Sequence, residues 1–209
     1  MTPLKIAVAK GYLLSETFSL LKKGGFDFDE PNMDSRKLFS TDKKGEIKLL
    51  HVRPWDVPVY VQEGAADLGI VGQDVLQENP SHTILLKDLK FGACRLVLAG
   101  PQKNTPPITH HIRIATKYPN CTQAYFQERG LKVHLIKLYG AIELAPLTGL
   151  SDLICDLSAT GKTLQEHHLH ILDTLIESSA RLIANPISFK VDYHHILDWC
   201  QRLETLLGT

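Results

Sequence analysis

The sequence has no charge of one sign to spare. Lys and Arg number 23 and Asp and Glu number 23, so the balance marks neither a nucleic-acid nor a membrane surface. No apolar run approaches the roughly 18 residues that a membrane span needs. Met1-Thr-Pro-Leu leads into an apolar strand pattern rather than a secretory leader. The 4 cysteines, Cys94, Cys121, Cys155 and Cys200, stand far apart without a Cys-x-x-Cys pair. They fit reduced thiols in a cytoplasmic protein better than a disulfide framework. Repeats and low-complexity tracts are also missing.

What remains is an ordinary globular composition. With 209 residues, 44% hydrophobic and 22% charged, the chain is long enough for one large domain or two lobes with a good core.

Short apolar runs at Leu4 to Ala9, Glu46 to Val52, Asp67 to Asp74, Arg95 to Ala99, Ile112 to Ala115, Val133 to Leu138 and Leu153 to Leu157 read as strands. Between them lie helical patterns. Ser15 is placed to cap a helix bearing Leu14, Phe18 and Leu21, which Gly24-Gly25 stops. Thr122 caps a second helix, to Glu128, and Asp192 a third. The third puts Tyr193, Ile196, Leu197, Cys200, Leu203 and Leu207 on one stripe. Gly100 to Pro107 reads as a surface loop. Strands alternating with helices predict an α/β fold with largely parallel sheets, one or two in number.

The most informative stretch is Asp152-Leu-Ile-Cys-Asp-Leu-Ser-Ala-Thr-Gly-Lys-Thr-Leu164. A buried strand carries Asp156 near its end. A turn of small residues follows (Ser158, Ala159, Thr160, Gly161), and a helix can begin at Lys162-Thr163. Amides at such a turn and the adjoining helix N-terminus favour an anion. Asp156 is placed to accept hydroxyls of a sugar whose phosphate sits in the turn. Thr-Gly-Lys-Thr ends like a Walker A loop, but that motif needs glycine where Asp156 stands, so the spacing fails. Arg53 and Asp56 suggest a local ion pair. His167 and His170, one helical turn apart, read as a solvated helix face, since no Cys or acid completes a metal site.

The run Glu143-Leu-Ala-Pro-Leu-Thr-Gly149-Leu-Ser151, joined to Asp156-Leu-Ser-Ala-Thr-Gly161-Lys-Thr163-Leu, resembles the signature of the ATP phosphoribosyltransferases. The likeness extends to Lys10-Gly11, Ser35-Arg36-Lys37-Leu38, Asp67 to Asp74, Arg95 to Ala99, Ile114 to Asn120 and Arg181 to Pro186. It implies two lobes resembling a type II periplasmic binding protein, with the active site in the interlobe cleft. Lobe I would be 1–90 with 180–209, and lobe II 91–179. Thr209 follows the last helix closely, so the chain resembles the short form, without a C-terminal regulatory domain. The resemblance then implies a homodimer that joins a regulatory subunit related to histidyl-tRNA synthetase, with histidine acting through that partner.

The implied reaction, the first step of histidine biosynthesis, joins ATP to 5-phosphoribosyl-1-pyrophosphate. Adenine N1 attacks the anomeric carbon and pyrophosphate leaves, with no covalent enzyme intermediate. Mg²⁺ is expected on the substrate pyrophosphate rather than in a protein cage. On this resemblance the 5-phosphate goes to Ser158, Ala159, Thr160, Gly161, Lys162 and Thr163, and the ribose hydroxyls to Asp156 and Glu143. Lys10 and Arg36 are the catalytic cations for pyrophosphate or ATP phosphates, beside Gly11. Asp74 has either a binding or a turn-forming role. Tyr12 departs from the family's usual Lys-Gly-Arg and offers a neutral hydrogen bond in place of a cation. Two other readings stand beside this one: a two-lobed small-molecule binding module, and a phosphoribosyltransferase with another acceptor.

Overall fold

The computed structural model describes residues 3–28, 37–101, 103 and 105–208. In chain order the strands are β1 (Leu4–Ala9), β2 (Phe39–Thr41), β3 (Ile47–Val52), β4 (Leu68–Gly72), β5 (Ile84–Asp88) and β6 (Cys94–Pro101). There follow β7 (Arg113–Thr116), β8 (His134–Lys137), β9 (Leu153–Ser158), β10 (Leu169–Ser178) and β11 (Ala180–Ala184). The helices are α1 (Tyr12–Lys23), α2 (Val57–Gln62), α3 (Gln73–Glu78), α4 (Pro119–Glu128), α5 (Leu144–Leu147), α6 (Lys162–Glu166), α7 (Pro186–Val191) and α8 (Tyr193–Leu207). The chain divides into two compact units. One comprises Met1–Leu76, Pro80–Gly92 and Ser179–Thr209, and the other Gln77–Asn79 and Ala93–Ser178.

The first unit is built on a sheet in the order β2-β3-β1-β4-β11-β5. β1 runs parallel to β3 and β4, whereas β2, β11 and β5 are antiparallel to their neighbours. Both faces of β1 are covered, which explains its unbroken apolar run. Ile6 and Val8 join the core with Phe18 and Leu21 of α1 and Trp199 and Leu203 of α8. Ala7 and Ala9 face the other way, with Val57 and Val61 of α2. That second layer is so close that a Cβ at Gly69 would stand 2.7 Å from Val61 and 2.9 Å from Val57.

The second unit has a sheet in the order β10-β6-β9-β7-β8. β7 pairs parallel with β8 and β9, and β6 pairs antiparallel with β9 and β10. Along β9 the apolar residues alternate between faces. Ile154 packs with Val97, Ala115, Ile142, Ala145 and Leu164, while Leu153 and Cys155 are fully buried on the opposite side.

Several expectations need correction. Neither sheet is largely parallel, because β5, β10 and β11 return antiparallel to the strands beside them. Gly11, not Ser15, is the N-cap of α1, and the N–H groups of Leu14 and Ser15 both donate to its carbonyl. Its φ of 91° and ψ of −141° turn β1 into α1, in a region closed to residues with a Cβ. The helix with Thr122 starts at Pro119; the Thr122 hydroxyl lies inside it and donates to the Tyr118 carbonyl. On α8 the buried stripe is Ile196, Trp199 and Leu203, and Tyr193 is exposed. His167 closes α6, and His170 lies on β10 rather than on a helix. Arg53 precedes a 3-10 turn, Pro54–Asp56, in extended conformation, and among the described residues no ion pair joins it to Asp56.

Candidate functional site

In the second unit, β7 and β9 are adjacent parallel strands, so the segments leaving their C-terminal ends emerge side by side. This is where open α/β sheets place ligands. β9 delivers Asp156 on the same face as Ile154, towards α5 and α6. Its Oδ1 accepts the N–H of Leu157 at 2.9 Å, and Lys117 Nζ, just past β7, lies 4.0 Å from Oδ2. Burial raises the Asp156 pKa; Lys117 and the Leu157 N–H work against it, and Glu143 pushes the same way as burial. Glu143 is therefore an electrostatic neighbour of Asp156, although it lies 13 positions earlier in the sequence.

Glu143 stands at the entry to α5 in helical conformation and is partly buried. The Leu150 N–H bonds back to Ala145, and Gly149, with φ of 73°, ends the turn. The Glu-Leu-Ala-Pro segment is thus one tight helical turn that presents an acid to the end of β9.

The small-residue turn follows at once. Ser158 is buried, Ala159 and Thr160 are exposed, and Gly161 takes the left-handed conformation, with φ of 79°. α6 then runs for only 5 residues. A helix this short has little macrodipole, so any attraction for an anion must come from the exposed amides and hydroxyls of the turn itself. Lys162 and Thr163 are both exposed there. Among the described residues no group of 3 or more His, Cys, Asp or Glu side chains converges as a metal cage.

In the first unit a second set gathers at the C-terminal ends of β1 and β4, which are also adjacent and parallel. Lys10 and Gly11 lie between β1 and α1. That 12-residue helix has no side-chain cap and no acid in its first turn, so its N-terminus keeps its affinity for an external anion. Lys10 is exposed, and Tyr12 is 65% exposed. Asp74 is buried, in the first turn of α3. Behind this set His51 is also buried, against the edge of the Phe18 ring, with Ser40 Oγ 3.2 Å from its Nε2. Burial lowers the pKa of His51; a hydrogen bond from the ring to the Lys37 backbone carbonyl opposes this, and the charges of Lys10 and Lys37 add to it. Arg36 lies outside the described residues.

The fold thus brings together Asp156, Glu143 and the 158–163 turn in one unit, and Lys10, Gly11 and Asp74 in the other. Sequence reasoning missed Lys117. The signal was present, since it is the first cation beyond the strand that pairs parallel with β9, but the pairing is not visible in the sequence.

The ATP phosphoribosyltransferase (HisG) family profile matches residues 53–205. An ATP phosphoribosyltransferase of Citrifermentans bemidjiense is 46% identical over 203 residues, covering 95% of this chain and 96% of the relative. One from a Picosynechococcus species is 43% identical over 209 residues, covering 98% and 100%. Among solved structures, the ATP phosphoribosyl transferase (HisG:HisZ) complex from Thermotoga maritima matches with a TM-score of 0.83 at 36% identity, over 98% of both chains. The periplasmic aliphatic sulphonate binding protein SsuA from Escherichia coli matches over 100% of this chain and 73% of its own, with a TM-score of 0.62. At 16% identity that likeness concerns the fold alone. Profile and relatives cover the segments that carry Glu143, Asp156 and the 158–163 turn, and the chain belongs to the ATP phosphoribosyltransferase family.

Proposed function

We propose that the 158–163 turn holds the 5-phosphate of phosphoribosyl pyrophosphate and that Asp156 and Glu143 take its ribose hydroxyls. The reaction is the family's, the first step of histidine biosynthesis: ATP and the donor condense to N1-(5-phosphoribosyl)-ATP and pyrophosphate. The observation that carries the residue roles is the pairing of two carboxylates beside an exposed small-residue turn with a left-handed glycine.

Each group has a task that its position suits. Asp156, largely shielded from water, accepts hydroxyl hydrogens more strongly than an exposed acid would. Holding ribose at its hydroxyls and phosphate at the turn fixes the anomeric carbon for in-line attack by adenine N1. As the bond to pyrophosphate breaks, positive charge develops on the ribosyl group, and nearby carboxylates stabilise it. Lys10, Gly11 and the uncapped start of α1 suit the phosphates of pyrophosphate or ATP. Asp74, being buried, orders the corner beside them. Arg36 belongs to the same proposal as a second cation. Mg²⁺ carried on the donor's own oxygens would supply further charge neutralisation.

The Thermotoga maritima neighbour is a two-component complex, which supports the reading that this chain works with a separate regulatory subunit; that the chain itself pairs as a homodimer is part of the same proposal. On that reading histidine acts through the partner, and calorimetry of histidine against the isolated chain should show no saturable inhibitory binding. Among the described residues the cysteines are all free thiols and no helix is long and apolar enough to cross a membrane; a cytoplasmic location is part of this proposal. The primary test is incubation with ATP, Mg²⁺ and phosphoribosyl pyrophosphate while following the ultraviolet absorbance of the adduct. No absorbance change, with or without the partner subunit, overturns the assignment.

A further inference from the structure

Among the described residues Lys117 is the only cation within 4.0 Å of Asp156, and the fold holds its backbone firmly. On one side, Thr116 Oγ1 accepts the N–H of Tyr118 at 2.8 Å, and the Leu138 N–H donates to the Thr116 carbonyl at 3.0 Å. On the other, the buried Glu78 carboxylate accepts the N–H groups of Asn120 and Cys121, at 2.9 and 2.8 Å, and so closes the start of α4. Asn120 Nδ2 returns a bond to the Glu78 carbonyl at 2.9 Å. A lysine on so constrained a turn brings its ammonium to Asp156 at a low cost in entropy.

The surroundings of Asp156 make that ammonium consequential. Its side chain is 15% exposed. The Leu157 N–H meets it from its own strand, Glu143 from the segment before α5, and Lys117 from beyond β7. Opposite it on β6 stands apolar Val97, and Arg95, farther along, faces Ser158. On β7, Thr116 faces Cys155. One ammonium thus serves a buried acid that has a second acid as its neighbour.

We propose that Lys117 is a positioning residue for the phosphoribosyl site, keeping the Asp156 carboxylate ionised and in place to accept the ribose hydroxyls. This deepens the site reading above and rests on it. An ionised carboxylate only accepts hydrogen bonds, whereas a protonated one commits an oxygen to donation. Burial beside Glu143 favours the protonated form, and the ammonium opposes it.

The test compares wild-type enzyme with Lys117→Met, Lys117→Arg and Asp156→Asn. In kcat/KM for phosphoribosyl pyrophosphate against pH, the acid limb of Lys117→Met moves up by roughly 1 pH unit or more, and Lys117→Arg restores it. Carbon-13 titration of the side-chain carboxyls, with Asp156→Asn assigning the resonance, shows the same rise without turnover. Should Lys117→Met not fold, Lys117→Gln makes the same neutralisation. An Asp156 carboxyl that titrates alike with and without the ammonium overturns the proposal, as does a loss of activity equal at every pH. Wild-type use of the donor by Asp156→Asn sinks the underlying site reading instead, so the two failures are told apart.

Discussion

Asp74 folds its carboxylate back over Gly72, into the space that a side chain at the glycine would need. The corner between β4 and α3 is therefore a matched pair: a glycine that leaves room and an acid that fills it. Asp74 is only 3% exposed, so a displaced carboxylate has nowhere easy to go. Gly72→Ala should cost on the order of 1–3 kcal/mol and lower turnover through the disturbed corner. In an Asp74→Ala background the same substitution should cost much less, because the obstructing oxygen is gone. Denaturant midpoints of the two single variants and the double variant check this, and simple additivity would refute it.

Asp156→Asn and Glu143→Gln should each weaken use of phosphoribosyl pyrophosphate while leaving the fold intact. Each removes a negative charge to which the proposal gives hydroxyl hydrogens, a loss of about 1.5–3 kcal/mol, or roughly 10- to 150-fold in kcat/KM. Being electrostatic neighbours, the two changes should not simply add. Steady-state kinetics with ATP saturating is the measurement, and wild-type values in both variants remove these residues from the site.

Tyr12 stands in the first turn of α1 and is 65% exposed, so a longer side chain meets no obstacle there. Tyr12→Arg should fold normally and, by adding a cation at an anion-favouring helix start, should hold or raise the rate of pyrophosphate expulsion. Arg36→Ala should be severe. Single-turnover kinetics separates this step from product release, and an unaffected Arg36→Ala enzyme would move the leaving group elsewhere.

What could be read from the sequence was local. β1, β3, β4, β7, β8 and β9 follow from short apolar runs bounded by turn residues; β1 and β4 are buried almost throughout, while β3 alternates and β8 is exposed at both ends. The Asp156 turn was legible for the same reason: strand, turn and helix start are contiguous. β10 was not legible, because its register against β6 shifts between Ile171 and Asp173 and again between Thr174 and Ile176, which breaks the two-residue alternation. The cap of α4 was invisible too, since its acid, Glu78, lies 42 residues before Asn120. Lys117 escaped on the same ground: its meaning depends on which strand lies beside β7.

Asp88 gathers ligands at the end of β5. Ser179 Oγ donates to Oδ1 at 2.8 Å and the Lys90 N–H at 2.9 Å, while Arg181 and Lys90 reach Oδ2 at 2.7 and 3.0 Å. Burial pushes the carboxyl up, but the Lys90 N–H and ammonium, the Ser179 hydroxyl and Arg181 together bring it from 3.8 down to about 2. A carboxylate depressed in the folded state stabilises that state fully above its unfolded value, and the contribution fades as pH falls through the folded one. The window therefore runs from 3.8 down to about 2. Asp88→Asn should be less stable than wild type at neutral pH, and the gap between them should close as pH falls across that window. Chemical denaturation of both proteins at a series of pH values reads the gap directly. If it stays constant from neutrality down to the acid end of the window, the four contacts hold Asp88 in place without holding its charge.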